Sequence, residues 1–171
     1  MRIEHVIQGE FKASDDPEVT LTTILGSCVS TCLFDAIAGV GGMNHFLLPK
    51  GDSGASVQNR YGLLAMELLI NELLKMGASK SRLQAKLFGG AMMDSRLGRI
   101  GEENGKFALA FLENENIPCI SSSLGGTAAR RVRFTPSSGA AQQMLIADHV
   151  EKVPEPVVEV GRAVDSDITL F

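Results

Sequence analysis

The chain has 171 residues, 44% apolar and 21% charged, and its 16 basic against 20 acidic side chains give a net charge of −4. That length fits one domain able to bury about 70% of the surface its unfolded form exposes, and the composition is globular rather than disordered or fibrous. The acidic balance lacks the basic field that nucleic acid demands, and no window approaches the run of about 18 apolar residues of a membrane span.

The three cysteines, Cys28, Cys32 and Cys119, have no C-x-x-C spacing, which suggests neither a disulfide frame nor a zinc ribbon. The N-terminal run MRIEHVIQGEF mixes charges into a short alternating pattern, unlike a secretory leader. Reduced thiols then point to the cytoplasm.

In chain order, residues 2–7 and 20–25 are rich in β-branched side chains and read as strands. Val29–Phe34 and Val40–Leu48 flank the connection DAIAG, which ends in Gly39, and together predict a hairpin. The polar, glycine-containing stretch from Pro49 to Arg60 predicts a surface loop with gating of substrate access as a second reading. From Tyr61 to Met76, polar Glu67, Asn71 and Lys75 recur at four-residue spacing, with Leu64, Leu68, Leu69, Leu73 and Met76 opposite them. This predicts a helix capped by Gly77.

Leu83–Gly89 follows as a strand, and a second helix is expected over Glu102–Asn114, its first turn carrying two carboxylates and Pro118 lying beyond its end. The segments CISSSL, RVRF and MLIADHV read as further strands separated by the turns GGTA and PSSG. After Val153 apolar anchors thin out, so residues 154–171 are expected as a tail that packs as an edge strand or frays from a single domain spanning 1–153. With hairpins outnumbering helices, the fold class is α+β: mostly antiparallel or mixed β-sheets packed in layers with two main α-helices.

The chemistry is concentrated in the hairpin. Cys28 follows Gly26 and Ser27 at the point where a small-residue turn hands over to a strand. A hairpin centred near residues 36 and 37 sets Cys28 opposite His45 or Phe46, and opposed side chains in such a pair have Cβ atoms about 4.5–5.5 Å apart. A thiol beside an imidazole has a base to take its proton. Backbone N–H groups of the Gly26-Ser27-Cys28 turn would face a developing oxyanion, and the hydroxyl of Thr22 is a candidate to orient the histidine. The alternative is a small buried thiol and a hydrogen-bonded strand histidine, both structural.

Taken together, TTILGSCVSTCLFD (Thr22–Asp35), GGMNHFLLP (Gly41–Pro49), KLFGGAMM (Lys86–Met93), IGEENGKFALAFLENENIP (Ile100–Pro118) and LGGTAARRVRF (Leu124–Phe134) resemble the chemoreceptor glutamine deamidases, the CheD proteins of bacterial chemotaxis. The resemblance runs in order over about residues 20–139 and implies a catalytic set of Thr22, Cys28 and His45. It carries the family's glycine motifs to Gly89-Gly90 and Gly125-Gly126, with Arg130 in the place of the following arginine and Thr127 where many members have asparagine.

The implied reaction converts receptor glutamines to glutamate through a cysteinyl thioester, with glutamyl methyl ester hydrolysis as a plausible second activity, and it calls for no metal or organic cofactor. Chemoreceptors are the implied substrate and a CheC-type phosphatase an implied partner, the enzyme being a monomer. A non-catalytic adaptor for that phosphatase is the rival reading; a cysteine peptidase or acyltransferase is another. Cys32 and Cys119 read as packing residues, His5 and His149 as structural or surface groups, and Arg130, Arg131 and Arg133 as either a solvated strand face or a patch for an acidic receptor.

Overall fold

The computed structural model describes residues 1–49, 55–94, 99–146 and 168–171. Among the described residues, ten strands and two α-helices follow in the order β1 (Arg2–His5), β2 (Phe11–Ser14), β3 (Val19–Leu25), β4 (Val29–Asp35), β5 (Val40–Asn44), α1 (Ala55–Lys75), β6 (Gln84–Gly89), α2 (Ile100–Asn114), β7 (Cys119–Leu124), β8 (Ala129–Thr135), β9 (Ala140–Ile146) and β10 (Ile168–Leu170). They build two five-stranded sheets, ordered β1-β3-β8-β9-β10 and β2-β5-β4-β6-β7. Both are mixed, because β1 runs parallel to β3 and β6 parallel to β7.

Strand alternation sorts the side chains into layers. Leu21 and Leu25 of β3, Val132 and Phe134 of β8, Cys32 and Phe34 of β4, Met43 of β5 and Phe88 of β6 form the core between the sheets. The intervening residues of the second sheet, Val29, Leu33 and Val40, pack with Leu87 against Met66, Leu69, Ile70 and Leu73 of α1 and Ala108, Phe111 and Leu112 of α2. The result is sheet on sheet with helices covering the far face of the second sheet, an α+β arrangement.

Helix α1 starts at Ala55, so residues 55–60, read as loop, are helical. Its buried stripe is Met66, Leu69, Ile70 and Leu73, whereas Leu64 and Leu68, expected on that side, are 57% and 44% exposed. The i, i+3, i+4, i+7 row selects the first set, and a leucine-rich helix offers more than one candidate row. The helix ends as expected at Gly77, whose φ of +107° lets Ala78 N–H reach Leu73 O and its own N–H reach Leu74 O. Strand β2, unmarked by alternation, pairs with β5. Of the expected tail, Ile168–Leu170 pairs with β9 and Phe171 packs edge-on against Phe88, while residues 154–167, together with residues 50–54 of the expected loop and His149, lie outside the described residues.

The hairpin is real, and its register differs from expectation. Asp35 pairs with Val40, Cys32 with Met43 and Val29 with Phe46, which places the turn centre between Ile37 and Ala38. Asp35 sets this turn. One of its carboxylate oxygens accepts the N–H groups of Ile37 and Ala38, and the other accepts Ser79 N–H and meets Arg82 at 2.9 Å. Burial alone would raise the Asp35 pKa, but the Arg82 side chain and the Ser79 and Ala38 N–H groups outweigh it and hold it down at about 2.

Candidate functional site

With Val29 opposite Phe46, Cys28 and His45 are not directly opposed. They are diagonal neighbours, each one residue before a paired one, and therefore share a face, at a Cα separation of about 7–8 Å for such pairs. The face is the one turned toward the first sheet, since Cys32 and Met43, alternate with Cys28 and His45, line the intersheet core. A register two residues from the simplest expectation keeps the parity that brings thiol and imidazole to one side.

The connection after β1 closes over this pair. Gly9 N–H bonds His45 O, and His45 N–H bonds Glu10 O, so the histidine backbone is clamped to residues 9 and 10. Val6 O lies 3.2 Å from His45 Nδ1 and accepts the Thr23 hydroxyl at 2.7 Å. The Thr23 oxygen itself stands 2.8 Å from Nδ1. A carbonyl only accepts, so Nδ1 carries the ring proton, directed to Val6 O and the Thr23 oxygen, while the hydroxyl proton goes to Val6 O. Nε2 is left as the basic nitrogen.

Thr22, the residue expected to orient the ring, does not reach it. Thr22 donates instead to Val132 O at 2.9 Å and pairs directly with Arg133 on β8. The physical reason is strand parity. Leu21 and Leu25 of β3 point into the intersheet core, Thr23 lies between them on the same face, and Thr22 faces the other way.

Cys28 is half-buried, and its Sγ donates to Gln8 Oε1 at 3.3 Å. Burial pushes the thiol up to about 11, with its own N–H pulling the other way. His45, 7% exposed, is shifted down by burial, against which the Val6 carbonyl works. Both shifts favour the uncharged form, so thiol and imidazole rest neutral.

The glycine motifs hold the cysteine turn. Gly90 N–H bonds Cys28 O at 2.8 Å and Ala91 N–H bonds Gly26 O at 3.0 Å. Gly89 has φ +115°, and a Cβ there would stand 2.1 Å from Cys28 O. Ser27 O accepts the side-chain amide of Asn104 at 2.8 Å, while the Asn104 oxygen accepts Leu48 N–H at 3.0 Å. One fully buried asparagine thus ties the cysteine turn to the segment just past His45.

Gly125 N–H bonds Gly89 O, and Arg130 reaches Ser123 O and the carbonyl of Gly125. Arg130 is 3% exposed and braces the turn between β7 and β8, apart from the thiol and imidazole. Cys32 lies in the core, as its packing role requires. Among the described residues no cluster of three or more His, Cys, Asp or Glu side chains is placed to hold a metal.

The sequence reading missed Gln8, Val6, Thr23 and Asn104. The double threonine offered both parities, and the IGEEN stretch placed Asn104 on a helix without marking its partners. Nothing in VIQGE signalled that this segment folds over the site.

The family model for CheD, chemotactic sensory transduction, matches residues 47–144. Curated relatives extend across the site. A probable chemoreceptor glutamine deamidase CheD of Cereibacter sphaeroides is 51% identical over 168 residues, covering 98% of this chain and 84% of that one. Its namesake in Agrobacterium fabrum is 48% identical over 177 residues, covering 98% and 95%. A third, from Caulobacter vibrioides, is 51% identical over 155 residues, covering 90% and 82%. Family model and relatives agree: this chain belongs to the CheD family.

Proposed function

We propose that this chain is a chemoreceptor glutamine deamidase in which Cys28 is the nucleophile and His45 the general acid and base. The observation that carries this is the shared face of Cys28 and His45, with Nδ1 of the ring committed to Val6 and Thr23. The names of the relatives supply the substrate class.

The cycle starts from neutral partners. Sγ attacks the carbon of a glutamine side-chain amide as its proton passes to His45 Nε2, and the C=O electron pair moves to oxygen. The imidazolium gives its proton to the amide nitrogen, the C–N bond breaks, and ammonia leaves a thioester on Cys28. Water then adds to the thioester while His45 takes its proton. The C–S bond breaks, the sulfur regains a proton from the ring, and the product carboxyl ionises. A glutamyl methyl ester meets the same machinery with methanol as leaving group, so ester hydrolysis accompanies deamidation.

The protein works as a cytoplasmic monomer, and a CheC-type phosphatase is its second partner. Among the described residues no helix is long and apolar enough to cross a membrane. An adaptor without activity would have no use for a ring whose tautomer is fixed beside a thiol.

The test is incubation with a chemoreceptor cytoplasmic fragment, read by peptide mass spectrometry. Glutamine is converted to glutamate with the chain uncut and no amine added, and Cys28→Ala stops the conversion. Cleavage or amine incorporation would move the reading to a peptidase or acyltransferase, and no change at all would favour the adaptor.

A further inference from the structure

We infer that the side-chain amide of Gln8 is a catalytic hydrogen-bond donor to the oxyanion formed when Cys28 attacks, a role that rests on Cys28 being the nucleophile. Gln8 lies between Val6, whose carbonyl accepts a hydrogen bond from His45 Nδ1–H, and Gly9, whose N–H bonds His45 O. The same short segment therefore fixes the imidazole and places a carboxamide on the sulfur, at 3.3 Å.

At rest Gln8 Oε1 accepts the thiol proton. When that proton leaves for His45, Oε1 loses its donor and the carboxamide is free to turn. The oxyanion develops one carbon away from the sulfur, within reach of the Nε2 hydrogens of a group already touching that atom. No acceptor for Nε2 appears among the described residues, so the donor is uncommitted. The N–H of Cys28, on the nucleophile's own backbone, supplies the second donor. A side-chain amide paired with the nucleophile's own N–H is a complete oxyanion hole, and its charge stabilisation exists only in the tetrahedral states.

The position explains why Gln8 is exposed although it touches a half-buried thiol. It sits at the rim, where a glutamine entering from solvent brings its carbonyl. Exposure also makes substitution at this position a small perturbation of the fold.

The experiment compares the wild type with Gln8→Ala and Gln8→Glu on a chemoreceptor fragment, and measures the rate of Cys28 alkylation by iodoacetamide in each. Alkylation displaces iodide and forms no oxyanion, so it reports the thiol alone. Expected for Gln8→Ala is a loss of kcat of about 100- to 1,000-fold with KM changed by less than about threefold, and alkylation within about twofold of wild type. Gln8→Glu, isosteric but unable to donate when ionised, falls at least as far.

An unchanged kcat overturns the inference. A raised kcat also does so, and would make Gln8 a plug in the place of the substrate amide. A fall in alkylation equal to the fall in kcat would assign Gln8 to holding the thiol instead. Activity surviving in Cys28→Ala would remove the nucleophile itself, a failure distinct from any of these.

Discussion

His45 Nδ1 and Thr23 Oγ1 meet at 2.8 Å although Thr23 lies in β3 of the first sheet and His45 directly follows β5 of the second, and Val6 O accepts from both. The histidine is thus oriented from across the sandwich. Thr23→Val keeps the shape and removes the hydroxyl, and should lower kcat by about 10- to 100-fold with little change in stability beyond about 1 kcal/mol. Thr22→Val removes a bond to the Val132 carbonyl and should cost about 1 kcal/mol of stability while leaving kcat within about threefold. Steady-state kinetics and thermal melts of the two variants side by side separate the roles; equal losses of kcat would contradict the assignment.

The pH profile follows from burial. His45 must be neutral to accept the thiol proton, and burial lowers its pKa from 6.5, so the acid limb of kcat/KM lies below 6.5. Cys28 must still hold its proton, and burial raises its pKa to about 11, so activity stays level through neutral and mildly alkaline pH and falls toward 11. Iodoacetamide reactivity should climb over the same alkaline range. Alkylation already maximal at pH 6 would show a resting thiolate–imidazolium pair and contradict this. Stability carries the same sign. The unfolded ring takes up a proton near 6.5 and the folded one only below that, so His45 contributes stability above 6.5 that is lost as pH falls through its lowered value.

Asn104 makes a third case. Replacing it with alanine leaves the Ser27 carbonyl and the Leu48 N–H without their partner inside the protein. Each unsatisfied group costs about 1–3 kcal/mol, so a loss of about 2–6 kcal/mol is expected, a melting point lower by about 4–24 °C. Because it joins the cysteine turn to the segment just past His45, kcat should fall as well. Urea titration and kinetics on the same preparation check both, and an unchanged melting point would contradict the account.

How legible was this in the sequence? The hairpin and α2 follow from β-branched runs and from carboxylates ahead of an apolar row, although the second hairpin strand stops at Asn44, four residues short of Leu48, and α2 begins two residues earlier at Ile100; Cys28 and His45 stand out because a small-residue turn and a hairpin put them near each other. The register did not follow. It depends on Asp35, whose oxygens bind Ile37, Ala38, Ser79 and Arg82, and the last two are more than forty residues away. The parity of Thr22 and Thr23 was equally hidden, because β3 has polar residues on both faces. Gln8 and Val6 act through a loop whose path is set by backbone bonds to His45, which no local pattern encodes.

The glycines give a graded prediction. At Gly89 a Cβ meets Cys28 O at 2.1 Å and φ is +115°, whereas at Gly125 φ is +92° and nothing lies within 4 Å. Gly125→Ala should therefore cost about 1–2 kcal/mol, the strain of the left-handed backbone alone. Gly89→Ala must move the carbonyl of the nucleophile, and should abolish activity even in whatever fraction folds. Circular dichroism with activity per folded molecule distinguishes them, and a fully active Gly89→Ala would contradict the packing of the cysteine turn.

The most direct measurement is acid quenching of a single turnover with a chemoreceptor fragment, followed by intact-mass and peptide mapping of the enzyme. The account predicts a transient adduct equal to the substrate minus ammonia, attached through Cys28 and discharged by hydroxylamine. Full deamidation with no adduct on Cys28, or with Cys28 already blocked by iodoacetamide, would contradict it.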